Sequence, residues 1–84
     1  MNLVICSVRD TAAEVFGRPI VVNTRAQAMR SFTDEANRKE PGNDLANHPD
    51  DFILYQLGFF DDNTGEIRSE LAQIARAKDV IKEQ

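Results

Sequence analysis

The chain has 84 residues, a formal net charge of −4 and a single cysteine, Cys6. A chain of this length is expected to form one domain spanning residues 1–84. One cysteine excludes an internal disulfide and is typical of a reducing compartment. No stretch approaches the roughly 20 apolar residues of a membrane-spanning helix, and NLVICSV at residues 2–8 lacks the basic leader of a secretory signal. The composition predicts a cytosolic protein with no membrane partner.

Charge is unevenly distributed along the chain. Residues 1–39 carry six basic and four acidic side chains, a net of +2, whereas residues 40–84 carry four basic and ten acidic ones, a net of −6. An acidic chain is a poor general binder of polyanions, because Lys and Arg provide most non-specific affinity for phosphate. The basic half could still form a local patch, and a plain solvated face is the other interpretation.

The small size also bears on association. A domain this short buries only about 60–65% of its unfolded surface, which leaves a thin core. Neither a disulfide nor an evident set of metal ligands is available to stabilise it. We therefore expect a homodimer.

Two strands are predicted in the first part of the chain. Residues 2–8 are apolar throughout, which is typical of a strand buried on both faces. A connection follows, and Pro19 confines the next strand, at 20–22, to a sheet edge or a short length.

A helix is predicted from about Arg25 to Arg38. Thr24 and Gln27 have the spacing of a capping box at its start. Pro41 and Gly42 act as breakers after its end. A buried stripe at three- and four-residue spacing supports the helix, with the members Ala28, Met29, Phe32 and Ala36.

The next strand, 52–60, is apolar on both faces. Alternation places Ile53, Tyr55, Leu57 and Phe59 on one face and Phe52, Leu54, Gln56, Gly58 and Phe60 on the other. We expect the first face in the core, and the second covered by a helix or a partner subunit. The DDNTG segment then predicts a turn with Gly65 in the left-handed region, followed by a short strand at 66–68.

The tail is predicted as a helix from about Glu70, with Ser69 as N-cap. Its inward positions would be Leu71, Ile74, Ala77 and Ile81. The order β-β-α-β-β-α gives an α+β fold: a small, mostly antiparallel four-stranded sheet with one main helix and a C-terminal helix packed on it.

The residues give little indication of a catalytic site or a metal site. His48 is the only histidine, and no second histidine or cysteine lies near it. A calcium loop counted back from Gly65 begins at Phe60, which cannot be a ligand. Asp61 and Asp62 are better explained as turn residues. We expect no catalytic residue, no metal and no cofactor, and hence a protein that is not an enzyme.

Binding is the remaining class of function. One hypothesis is single-stranded DNA, with arginines along the phosphates and an exposed aromatic stacking on bases. Its candidate residues are Arg9, Phe16, Arg18, Arg25, Arg30, Arg38 and Lys39. The other hypothesis is self-association or a protein partner on the second face of strand 52–60. Its candidate residues are Phe52, Leu54 and Phe60.

Four segments resemble a known family: SVRD at 7–10, RPIVV at 18–22, NTRAQAMRSF at 23–32 and HPDDFILYQLGFFDDNTGEI at 48–67. They are similar to the small nonstructural protein of gokushoviruses, tailless single-stranded DNA bacteriophages of the Microviridae. Its pattern P-x-D-x-x-L-x-x-L-G-x-F-D-x-x-T-G is matched by Pro49, Asp51, Leu54, Leu57, Gly58, Phe60, Asp61, Thr64 and Gly65. The resemblance covers about residues 3–67, with nothing comparable from Ser69 onward.

This resemblance implies a protein of the host cytoplasm that is absent from the virion and associated with viral DNA replication. The switch from duplex replication to single-strand production is one step that it implies. It implies no catalytic residues. It leaves two partners open, single-stranded DNA or a viral or host replication protein.

Overall fold

The structure, a computed structural model, describes residues 1–82. Its elements are β1 (Asn2–Asp10), β2 (Val15–Phe16), β3 (Ile20–Val22), α1 (Arg25–Ala36), α2 (Asp44–Asn47), a 3-10 turn (Pro49–Asp51), β4 (Phe52–Asp61), β5 (Ile67–Arg76) and α3 (Ala77–Val80). All strand pairs are antiparallel, in the order β2-β1-β4-β5, and β3 also pairs with β1. The α+β class is confirmed. The sheet has five strands rather than four, because β2 forms within the predicted connection.

The helices all lie on one face of the sheet. Side chains from α1 and α3 form one apolar core with side chains from β1, β4 and β5. This core consists of Val4, Cys6, Ala28, Phe32, Ala36, Leu54, Ala75 and Ala77. None of the helices within residues 1–82 is long and apolar enough to cross a membrane.

A β-bulge in β4 changes which side chains face the helices. Ile5 of β1 pairs with Gly58, but the next residue, Cys6, pairs with Gln56, so Leu57 is an extra residue in β4. Before the bulge, the even-numbered residues of β4 face the helices. After it, Phe59 faces them and packs against the core.

The prediction for β4 was right for the second face as far as Gln56, which the helices cover, and wrong for the first face, which was expected in the core. Leu54 and Gln56, placed on the second face, are each only 2% exposed and belong to the helix-covered side. Ile53 and Tyr55, expected in the core, are half-buried and lie on the opposite side. Strand β1 is likewise apolar on both sides but covered on one.

The prediction of a long tail helix was also wrong. Residues 67–76 form β5, which pairs with β4, and only Ala77–Val80 is helical. Leu71, expected inward, is 63% exposed. Ile74 and Ile81 do pack against the core. Ile74 faces the core because a second register shift of β5 occurs at this residue.

The start of α1 agrees with the sequence. The Thr24 hydroxyl accepts a hydrogen bond from the Gln27 backbone N–H at 3.1 Å, and the Gln27 side chain accepts one from the Asn23 N–H at 2.9 Å. The helix ends at Ala36, two residues earlier than predicted. Gly65 has φ 78, the left-handed conformation expected for the turn after β4.

The second sheet face carries no helix within residues 1–82, and we call it the bare face. Its side chains follow from the strand register and from alternation along each strand. They are Leu3, Ile5, Ser7, Arg9, Phe16, Val21, Ile53, Tyr55, Gly58, Phe60, Ile67, Ser69, Leu71, Gln73 and Arg76. None of its apolar side chains belongs to the core.

Candidate nucleic-acid interface

The bare face carries cations and no strand carboxylate. Within the strands, Asp10, Asp61 and Glu70 all project toward the helix side. Arg9 and Arg76 project from the bare face. In a chain with a net charge of −4, Arg9 and Arg76 are thus the charged strand side chains on the bare face of the part that the structure describes.

Three side chains form a cluster at one end of the bare face, which we call the aromatic platform: Arg9, Phe16 and Tyr55. The Arg9 guanidinium carbon lies 5.1 Å from the centroid of the Phe16 ring, within the range of a cation–π contact. The Phe16 and Tyr55 ring centroids are 5.4 Å apart, with an interplanar angle of 69°. This edge-to-face geometry leaves Phe16 39% exposed.

Local structure holds Phe16 in the platform. Arg9 and Phe16 are direct partners in the β1–β2 pair. The turn between these strands is closed by Asp10, whose carboxylate accepts hydrogen bonds from the N–H groups of Ala12 and Ala13 at 3.0 and 3.1 Å. After Phe16, the Ser7 hydroxyl donates to the Gly17 carbonyl at 2.7 Å.

The platform continues across the sheet. Arg9 pairs with Ile53, and Ile53 pairs with Arg76, so the two arginines flank one apolar side chain. Tyr55 pairs with Gln73, which is exposed. The side chains at this end therefore combine ring faces, guanidinium groups and an amide.

The remaining predicted cations do not join the platform. Arg25 and Arg30 are exposed on α1, which packs on the other side of the sheet. Arg38 forms ion pairs with Glu35 and Glu40. The Arg38 hydrogen bond lowers the pKa of Glu35, so the pair stays ionised.

Arg18 and Lys39 are also exposed, in the β2–β3 connection and after α1. Of the seven candidate residues, the structure thus brings only Arg9 and Phe16 into contact.

Two of the three candidate association residues lie in or against the core. Leu54 is 2% exposed, and Phe52 packs against the core beneath the helices. Leu54 therefore cannot contact a partner while the chain is folded, whereas Phe52 is half-buried. Phe60 does lie on the bare face, where it pairs with Leu3 and Ile67.

The sequence reasoning missed Tyr55, Gln73 and Arg76. Tyr55 was assigned to the core because regular alternation was carried through β4, and Gln73 and Arg76 were assigned to a helix. Gly58 was the available signal, since a glycine inside a strand often marks a bulge.

The aspartates of the turn after β4, which raised the question of a metal site, make structural contacts. His48 is exposed between α2 and the 3-10 turn, and within residues 1–82 no group of three or more His, Cys, Asp or Glu side chains could hold a metal ion. Asp61 accepts the Asn63 N–H at 2.9 Å, and this hydrogen bond lowers the pKa of its carboxyl. Cys6 is fully buried, and burial raises the pKa of its thiol.

A second surface feature lies on the helix side. An apolar cleft of about 370 Å³ opens between α1 and the sheet, and Val8, Ile20, Phe32 and Leu45 are among its lining residues. Ile20 is 46% exposed at its rim. The cleft has the apolar character of a protein or peptide site rather than of a nucleic-acid site.

These features define the class: a small α+β protein with one helix-covered and one open sheet face. The chain belongs to the Phage ORF5 protein family, whose family model matches residues 3–80. The match extends through β5 and into α3, beyond the stretch 3–67, and supports a bacteriophage origin. Comparison with curated proteins and with solved structures found no match.

Proposed function

We propose that this phage protein binds single-stranded DNA on the bare face and acts, without catalysis, in replication of a single-stranded viral genome. The observation that carries the proposal is the aromatic platform, Arg9 with Phe16 and Tyr55, on a sheet face with no helix over it. Aromatic rings on an open surface stack on unpaired bases, and nearby guanidinium groups bind phosphates.

Single strands fit this surface better than duplex DNA. Stacking requires an unpaired base, and each stacked base contributes about 1–3 kcal/mol. Duplex binding depends mainly on many phosphate contacts, whereas the bare face offers Arg9 and Arg76 alone. Arg76 is in addition held by Asp79, at 2.9 Å from Nε to the carboxylate. We therefore expect modest affinity with a strong preference for single strands.

The acidic balance of the chain disfavours binding of DNA away from this face. With a net charge of −4, the rest of the surface repels a polyanion. Arg9 and Arg76 give at most two phosphate contacts, so we expect a shallow salt dependence, with a slope of log K against log salt no steeper than about −1.4 for single strands.

The biological setting is proposed from the resemblance to gokushovirus nonstructural proteins. We place the protein in the host cytoplasm during infection, outside the virion, at a step such as the change from duplex to single-strand synthesis. A surface that prefers unpaired bases fits that step, because it would hold the product strand and not the duplex template.

Fluorescence anisotropy with labelled single-stranded and duplex oligonucleotides at two salt concentrations tests the proposal. Arg9→Ala and Phe16→Leu are expected to weaken single-strand binding by about tenfold each, since the first removes a phosphate contact and the second a ring face. Arg30→Ala is the matched control, because it removes the same charge from α1, on the other side of the sheet.

Equal losses for Arg9→Ala and Arg30→Ala would contradict a site on the bare face. Absence of single-strand binding at low salt would favour the second candidate, an adaptor that binds a viral or host replication protein. The apolar cleft beside α1 supports that second candidate, and Ile20→Asp at its rim would then abolish partner binding.

A further inference from the structure

Strand β5 has a free edge at which another strand can pair, and such pairing does not depend on nucleic-acid binding. Strand β5 has ten residues and pairs with β4 on one side only, while no strand within residues 1–82 lies along its other side. The opposite edge of the sheet is formed by β2 and β3, with two and three residues, and Pro19 precedes β3. A long unpaired edge without proline is a template for another strand.

Exposed side chains on this edge point to a partner. Ile67 is 68% and Leu71 63% exposed, the highest exposures of large apolar residues in the part of the chain that the structure describes. Arg68 and Glu70 alternate with them on the helix side, and both are exposed. The stretch thus has apolar residues on one face and two opposite charges on the other.

We propose that two copies of this chain associate through antiparallel pairing of β5 with β5, with Ser69 on the two-fold axis. In this register Arg68 faces Glu70 of the other copy and Ile67 faces Leu71 of the other copy, each pair occurring twice by symmetry. Opposite charges and apolar side chains directly across an antiparallel pair are stabilising.

Neighbouring registers lack this complementarity. With Glu70 on the axis, two Glu70 carboxylates would face each other, which is unfavourable. With Leu71 on the axis, Arg68 would face Ile74 and Glu70 would face Ala72, so neither charge would meet its opposite. The pattern of residues 67–71 therefore selects one register.

The register also fixes the shape of the dimer. A two-fold axis through a directly opposed antiparallel pair is perpendicular to the sheet, so one continuous sheet forms with all helices on one side. Both bare faces then point the same way, and both aromatic platforms lie on one surface.

Variants that reverse the charges of Arg68 and Glu70, singly and together, test both the proposed edge and the proposed register. We expect sedimentation velocity to show a monomer–dimer equilibrium for the unaltered chain in the micromolar range. Arg68→Glu and Glu70→Arg, each alone, create like-charge pairs and weaken dimerisation by roughly tenfold. The double variant restores opposite charges, and its dimerisation constant should return to near that of the unaltered chain.

The double variant also separates pairing from another role of Arg68. Its guanidinium carbon lies 4.9 Å from the Phe59 ring centroid, a contact that Arg68→Glu removes with or without the second change. Recovery in the double variant therefore cannot come from the Arg68–Phe59 contact, and it supports charge complementarity across the edge.

Arg30→Glu on α1 is the control for altered net charge, and circular dichroism verifies that each variant is folded. A chain that stays monomeric at high micromolar concentration overturns the proposal. A dimer that is indifferent to both single changes, or a double variant no better than the singles, overturns it equally.

Discussion

Gly58 determines which side chains the bare face displays. A Cβ atom at this position would lie 2.1 Å from the backbone oxygen of Arg68 on the adjacent strand, far closer than packing allows. The bulge beside it turns Phe59 toward the core and Phe60 toward the bare face. A glycine is therefore required for β4 and β5 to approach each other at the bulge.

The substitution Gly58→Ala is expected to lower the free energy of unfolding by about 2 kcal/mol, because the backbone of β5 must shift to admit the methyl group. Urea denaturation measures this. Gly42→Ala is the control, since nothing lies within 4 Å of its added Cβ. Equal stability of the two variants would mean that β4 and β5 do not meet as described.

Only part of the candidate site was predictable at the residue level. Arg9 and Phe16 could be proposed from charge and exposure, but their contact depends on β2, a two-residue strand with no signal of its own. Regular alternation placed Tyr55 on the same face as Phe59, and only the bulge separates the two. Side-chain direction in a strand reverses with a single inserted residue, so alternation fails there.

Among the elements, the start of α1 was predicted correctly from the sequence, whereas β5 was predicted as a helix. The start of α1 was predicted because its cap is a local interaction between Thr24 and Gln27. In β5, apolar residues recur at a helical spacing and the composition favours a helix, yet the segment pairs with β4 along its length. Pairing with β4 makes this segment a strand, and sequence periodicity alone cannot show that a partner strand is present.

The cap of α1 gives a prediction at this scale. Thr24→Ala removes the acceptor for the Gln27 N–H and should lower the free energy of unfolding by about 1 kcal/mol. Thr24→Ser retains the hydroxyl and should stay close to the unaltered chain. Thermal or urea unfolding distinguishes the two, and an alanine variant as stable as the serine variant would contradict the described cap.

At the level of the whole molecule, the two sheet faces differ in what covers them. One face forms the core with three helices, and its buried side chains hold the strands in register. The other has no helix within residues 1–82 and combines apolar side chains with Arg9 and Arg76. The proposed binding of single-stranded DNA is placed on that face because its apolar and aromatic side chains have no helix over them.

Amide chemical-shift mapping during titration with an unlabelled single-stranded oligonucleotide tests this assignment most directly. We predict that the largest shifts occur at Arg9, Phe16, Tyr55 and Gln73, while Arg30 on α1 stays unchanged. Shifts centred on α1, or no shifts at low salt and excess oligonucleotide, would contradict binding of single-stranded DNA on the bare face.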